Sequence, residues 1–422
     1  MPDKLHLMGP QDILRRELPN GIVVLARQAA ESPSVAISGY LQAGSLYDPD
    51  EKLGLASFTA AALMRGSERR TFQETYNLLE SAGASLGLGG GTHSVSFYGK
   101  SLAEDLGLVL ELLADALRRP VFPEAYVERL RAQLLTGLSI RAQDTADVAG
   151  LMLDEMLYPG HLYRRPSDGY PQTVAPLARA DLEDFHRRVY GPRGMALAIT
   201  GAVDPQQAVD LAAHYLGDWR NPLQPAQVEV GPAPRLERTI TRRAVLPGKA
   251  QSDIVLGTTG PARRDADYLP ALIGNNILGV FGMMGRIGSV VREQAGLAYS
   301  ISSSLNGALG PGPWEISAGT DPQNVERAVA LIFEEVQRFI SQPVSAEELA
   351  DTQANYIGRL PLSFESNAGV AGALVSLERY GLPLDYYQRY PALVQAVTAE
   401  AVLEAARHYL DPQRLAVAIA GP

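Results

Sequence analysis

The sequence predicts an α+β protein of two tandem homologous domains, each a mostly antiparallel sheet with helices packed on one side. Three observations carry this expectation. Strand-like and helix-like runs come in groups rather than in strict alternation. The order of elements in the first half returns in the second. One stretch is written twice: "YGPRGMALAITGAVDP" (190–205) reappears as "LDPQRLAVAIAGP" (410–422). At a constant shift of 220 positions, Pro192 matches Pro412, Ala196 matches Ala416, Ala198 matches Ala418, Ile199 matches Ile419 and Gly201 matches Gly421. The same shift pairs Tyr170-Pro171 with Tyr390-Pro391, Val174 with Val394 and Arg187 with Arg407. With 422 residues the chain is too long for one ordinary core, and the repeated unit is domain-sized.

The first half opens on strand-like alternation. In "RRELPNGIVVLARQ" the Asn20-Gly21 dipeptide between two such runs is a strong hairpin signal. "SVAISGYLQAGS" reads as a third strand, helical periods follow at 54–65 and 72–82, and "LGLGGGTHSVSFYGKS" reads as a glycine-rich strand. Long helices are expected at 102–118 and 123–143, then a helix near 179–190 and the strand "MALAITG". The second half gives strand "QSDIVLGTT", helices at 265–280 and 285–294, strands at 298–306 and 313–320, and helices at 322–341 and 345–359. The proline-rich "RNPLQPAQVEVGPAPR" (220–235) reads as a semi-rigid linker, so the expected domains are 1–219 and 236–422.

Composition narrows the function. Hydrophobic content of 46% with 20% charged residues describes an ordered, globular chain. A formal charge of -10 argues against nucleic acid, whose phosphates it would repel, and would favour basic peptides. The absence of cysteine excludes disulfides, thiolate nucleophiles and cysteine zinc sites. "MPDKLHLMGPQDILRREL" has no basic region followed by an apolar run, so no signal peptide and a cytoplasmic location are expected of the sequence as it stands. No apolar stretch reaches the roughly 18 residues of a membrane helix, so no membrane insertion is expected. "LGLVLELLADAL" (106–117) comes nearest but carries Glu111 and Asp115.

Motifs of the commoner enzyme classes are missing. Gly99-Lys100-Ser101 lacks the upstream glycine of a phosphate loop, since position 94 is Ser94. The histidines His6, His93, His161, His186, His214 and His408 include no pair three or four residues apart. They therefore announce no zinc-binding helix face, and each reads as structural or surface. No Gly-x-Ser-x-Gly elbow appears; "GRIGSVV" comes nearest.

Several stretches together resemble the pitrilysin/insulinase family of zinc peptidases, which includes the mitochondrial processing peptidase and two-component bacterial relatives. They are "GSLYDPDEKLGLASFTAAALMRGSERRT" (44–71), "RRPVFPEAYVERLRAQLLTGLSIRAQDTADVA" (118–149), "HLYRRPSDGY" (161–170) and "YGPRGMALAITGAVDP". Active members carry Gly-x-Ala-His-x-x-Glu-His where this chain has "GLASFTAA", so the resemblance places the motif's two histidines and its glutamate at Ser57, Ala61 and Ala60. The family's remaining ligand, a glutamate on a later helix, falls near Gly137 or Leu138. A hydroxyl is a poor zinc ligand at neutral pH and a methyl group is none. Ala60 also removes the carboxylate that would take a proton from attacking water. No metal is expected in this chain.

The second half keeps what the first has lost. "MMGRIGSVVREQAGLAYSISSS" (283–304) resembles the family segment in which an arginine precedes a tyrosine by seven residues, here Arg292 and Tyr299. Gly296 should end the helix, with Arg292 on its last turn and Tyr299 at the start of the next strand. In the family this pair lies across a chamber from the zinc and binds the substrate backbone, and both side chains supply donors suited to a carbonyl oxygen gaining charge. "LGLGGGTHSVSF" (86–97) has two readings, an exposed strand for pairing with extended peptide or a bend in the sheet. Phe281, Met283 and Met284 in "LGVFGMMGRIG" (278–288) lie where the family's non-catalytic subunits carry a glycine-rich loop, and serve either substrate contact or core packing.

The resemblance thus implies a non-catalytic, peptide-binding subunit paired with a homologous chain that holds zinc in an intact His-x-x-Glu-His motif. The alternative is an assembly subunit without a part in hydrolysis. Substrate preference, and self-association when the partner is missing, are left open by the sequence.

Overall fold

In the computed structural model, residues 7–29 and 31–422 are described, apart from the Met283 side chain; His6 lies outside this set. One sheet is built from β1 (Leu14–Glu17), β2 (Val23–Gln28), β3 (Ser34–Leu41), β4 (Ser85–Gly90), β5 (Val95–Leu102) and β6 (Ala196–Gly201). The other contains β7 (Ile240–Val245), β8 (Ser252–Thr259), β9 (Ala298–Leu305), β10 (Pro313–Thr320) and β11 (Ala416–Gly421). The helices of the first half are α1 (Leu55–Ala62), α2 (Phe72–Ser81), α3 (Leu106–Arg118), α4 (Glu124–Arg141), α5 (Thr145–Leu157), α6 (Pro171–Val174), α7 (Arg179–Val189) and α8 (Pro205–Leu216). Those of the second are α9 (Tyr268–Gly279), α10 (Phe281–Ile287), α11 (Val325–Ser341), α12 (Ala346–Arg359), α13 (Asn367–Tyr380), α14 (Tyr386–Gln395) and α15 (Ala399–Tyr409).

Strand order in the first sheet is β1-β2-β6-β3-β5-β4 and in the second β7-β11-β8-β10-β9. With β1 set aside the two orders correspond. β6 runs parallel to β2 and antiparallel to β3, and β11 runs parallel to β7 and antiparallel to β8. Each of these inner strands is the last of its half, and of the residues matched at a shift of 220, Ala196, Ala198, Ile199 and Gly201 with their counterparts lie along them. The α+β class with two mainly antiparallel sheets is therefore observed. β4 and β9 each form one edge of their sheet.

Two units make up the chain. One comprises Met1–Leu138, Pro166–Glu229 and Leu360–Arg389, the other Ser139–Arg165, Val230–Arg359 and Tyr390–Pro422. In the first, Val35, Ile37 and Leu41 alternate into a core with Phe58, Leu110, Leu113 and Phe185. In the second, Ile254, Leu256, Trp314 and Ile316 meet Ile273, Ile332 and Phe339. Each sheet also carries one helix on its opposite face: α13 packs on β3 and β6, and α5 packs on β8 and β11. On β11 the alternation is sharp, since Val417 and Ile419 enter the main core while Ala416, Ala418 and Ala420 meet Ala149 and Leu153 of α5. The small side chains let the helix sit close to the strand.

Two expectations change in the structure. The stretch 86–101 is a hairpin, β4 and β5, because Gly91 donates to the Ser94 carbonyl and reverses the chain. Helices α5, α6, α8, α13, α14 and α15, and strand β7, have no counterpart in the elements expected. Gly99-Lys100-Ser101 lies inside β5, in keeping with the strand expected there.

Packing of α5 on the second sheet brings Asp154 near Glu315 of β10. Burial first, and the Glu315 charge second, push the Asp154 carboxyl up to about 7. Burial also raises Glu315, opposed by the Ser304 hydroxyl that donates to it at 3.0 Å. A raised carboxyl keeps its proton in the folded chain after the unfolded chain has lost it. Stability therefore falls as pH rises from about 4 through 7. Asp154→Asn is expected to raise the melting temperature at pH 8 and to leave it nearly unchanged at pH 4, read by thermal denaturation across that range.

Candidate functional site

Helix α1 starts on a buried carboxylate. Asp48, 3% exposed, accepts from Gly54 N at 2.9 Å and from Ala56 N at 2.8 Å, satisfying two amide donors at the helix start. Nothing in the sequence announces this role, since Asp48 lies six residues ahead of the glycine rather than at the cap position. Asp48→Ala is expected to destabilise the chain by about 2 kcal/mol, measured by urea unfolding at pH 7.

The three positions matched to the zinc motif lie on this helix. Ser57 is half-buried, and its hydroxyl donates to the Ser167 carbonyl at 2.8 Å. Ala60 is buried, and half-buried Ala61 packs against the core of its unit. Strand β4 presses close: a Cβ on Gly90 would lie 3.0 Å from Ser57 Cα and 3.3 Å from Ala60 Cβ. Any side chain at 90 would push against the helix, and glycine permits the close approach. On α4, Gly137 faces open space and Leu138 is buried. None of these positions offers an ionisable donor, so the residues present do not fit a zinc ion. Among the described residues no three His, Asp or Glu side chains gather where they could hold a metal.

The described histidines serve other ends. His93, in the turn between β4 and β5, is pushed down to about 4 by burial and by Arg379, and is neutral at pH 7. Burial also lowers His186, whose Nε2 lies 2.9 Å from the Leu117 carbonyl. His161 accepts from Tyr163 N at 3.1 Å. His408 lies against Arg235, and His214 meets Tyr215 edge-on.

In the second unit the arginine and tyrosine sit on two local irregularities. Arg292 belongs to a π-helical turn, Gly288–Gln294, in which Ala295 N donates to the Val290 carbonyl at 3.2 Å. The turn ends at Gly296, φ +66, as expected. Tyr299 is the second residue of β9, where the pairing with β10 slips. Ser300 faces Gly319 but Ala298 faces Thr320, leaving Tyr299 as the extra residue of a β-bulge. Tyr299 is 63% exposed. The π turn packs against β9, so the elements bearing the two residues adjoin. Turns of this kind and bulges both concentrate at functional sites because they re-aim side chains. Neither irregularity has a signature in the sequence.

The Arg292 guanidinium donates through Nη1 to the Met284 sulfur at 3.6 Å. Met284 also packs against the core of its unit. Val280 and Phe281 are exposed on the same segment.

Comparison with known proteins agrees with this architecture. Residues 23–160 match the family model described as Insulinase (Peptidase family M16), and residues 176–356 match that of the Peptidase M16 inactive domain. The crystal structure of a peptidase M16 inactive domain from Pseudomonas fluorescens superposes with a TM-score of 0.89 at 26% identity, covering 97% of this chain and 98% of that one. An uncharacterized zinc protease of Mycobacterium bovis is 27% identical over 420 residues, 97% of this chain and 93% of the relative. The mitochondrial-processing peptidase subunit beta of Saccharomyces cerevisiae is 26% identical over 373 residues, 84% of this chain and 79% of the relative. The chain belongs to the insulinase family, peptidase family M16.

Proposed function

We propose that this chain is the non-catalytic, substrate-binding subunit of a heteromeric zinc peptidase. The observation that carries the reading is an asymmetry. The helix positions matched to the zinc motif hold Ser57, Ala60 and Ala61, while Arg292 and Tyr299 sit on a π turn and a bulge that are costly to keep without use. A partner of the same family with an intact His-x-x-Glu-His motif would supply the zinc. The relative named a subunit of the mitochondrial-processing peptidase supports a shared assembly.

In this reading Arg292 and Tyr299 act on the peptide backbone next to the bond being cut. The guanidinium and the phenol each donate to a carbonyl oxygen, and those bonds strengthen as negative charge develops there. Edge strand β4, with Gly87, Gly89 and Gly90, offers unpaired backbone to which an extended peptide can add. No described helix is long and apolar enough to cross a membrane.

Co-purification from the source cell tests the proposal. A zinc-bearing chain of similar mass is expected to accompany this one, and peptide hydrolysis is expected only when both are present. Hydrolysis by this chain alone would sink the reading. A stable complex whose activity ignores Arg292 and Tyr299 would instead establish an assembly role.

A further inference from the structure

The Met284 backbone is strained. Its φ is +77, and Phe122 is the only other described non-glycine residue with positive φ. Gly282 and Gly285 on either side adopt the same hand, at φ +65 and +64, without a side chain to clash. Gly285 has no alternative, since a Cβ there would lie 2.6 Å from Gly279 N and 2.7 Å from the Ile277 carbonyl. At 284, too, glycine would be the relaxed residue, yet methionine occupies the place. A strained conformation kept beside a candidate site points to a use for its side chain. Here the side chain packs on the core of its unit and offers its sulfur to Arg292.

We infer that Met284 is a positioning residue: its thioether holds the Arg292 guanidinium in place in the free chain and yields it to a substrate carbonyl. The inference rests on the proposed role of Arg292. The choice of sulfur follows from acceptor strength. A thioether is a weak acceptor, whereas a peptide carbonyl makes a charge-assisted bond with guanidinium, so the exchange runs downhill. A carboxylate at 284 would form an ion pair that peptide must break. With no acceptor, the long arginine side chain would spread over its rotamers and have to be ordered during binding.

Methyl NMR on the full chain, with 13C-methyl-labelled methionine, tests this directly. The chain has 8 methionines, and the Met284 signal is identified by its loss in Met284→Leu. Arg292→Ala is expected to move that signal. A capped basic decapeptide at saturation is expected to move it in wild type to the position seen in Arg292→Ala, because both free the sulfur. In parallel titrations Met284→Leu, which keeps volume, and Met284→Gly, which relieves the strain, are each expected to weaken peptide binding about threefold to tenfold. Met284→Glu is expected to weaken it more than tenfold. A Met284 signal that ignores Arg292→Ala overturns the contact, and one that stays fixed at peptide saturation overturns the release. If Arg292→Ala binds peptide as well as wild type does, the proposed function fails and this inference with it. If Arg292→Ala weakens binding while Met284→Leu and Met284→Gly do not, the Met284 inference alone fails.

Discussion

Arg292→Ala is expected to lower kcat/KM for peptide hydrolysis by the assembled pair about 10²- to 10³-fold while the two chains still assemble. The magnitude is that of removing one donor aimed at a developing oxyanion. The loss should appear in both KM and kcat, because the guanidinium binds the carbonyl oxygen in the bound peptide and binds it more strongly once that oxygen carries charge. Arg292→Lys should recover little, since a point ammonium cannot reproduce the planar fork. Folding is not at stake: the hydrogen bond the guanidinium makes in the free chain is a weak one to sulfur, at 3.6 Å. Tyr299→Phe removes a single neutral donor from an exposed ring and should cost less. Steady-state kinetics with a fluorogenic peptide, beside size-exclusion chromatography of the pair, separates a catalytic loss from an assembly loss. Unchanged kinetics in Arg292→Ala would leave this residue as no more than the end of a helix.

Local signals in the sequence are reliable where a single residue decides the conformation. Asn20-Gly21 makes the turn between β1 and β2, and Gly296 stops the turn that bears Arg292. The shift of 220 positions marks the two corresponding inner strands, β6 and β11. What stays hidden depends on partners distant in sequence. Helix α5 has a cap signal, since Asp144 accepts from Asp147 N, and α13 has one in Ser366. Both also carry a Val-Ala-Gly triplet, at 148–150 and 370–372. Yet periodicity shows only that a face is buried, not which sheet buries it. The bulge at Tyr299 is invisible for a similar reason: register exists only once β9 lies beside β10. The π turn reads as an ordinary helix, because one extra residue per turn leaves no compositional trace.

The Ser57→His, Ala60→Glu, Ala61→His variant is expected to take up zinc only weakly and to remain unable to cut peptide by itself. Two imidazoles at i and i+4 share the face of α1, but a catalytic zinc takes three protein ligands with one position left open. The third would have to come from α4, where Gly137 and Leu138 stand. Their surroundings separate the two candidates. Gly137 is exposed, and a Cβ added there would meet nothing within 4 Å, so a glutamate stays hydrated and need not turn inward. Leu138 is 4% exposed, so a glutamate there is driven toward any cation that can compensate its burial. Leu138→Glu added to the triple variant is therefore expected to bring zinc to about one per chain, whereas Gly137→Glu should not. Metal analysis after desalting reads the difference. Ser57→His also deprives the Ser167 carbonyl of its donor, so the variants should unfold at lower denaturant without zinc and regain stability with it. Stoichiometric zinc in the unaltered chain would show that these positions do not keep the metal out, and hydrolysis by the triple variant alone would show that no ligand from α4 is needed.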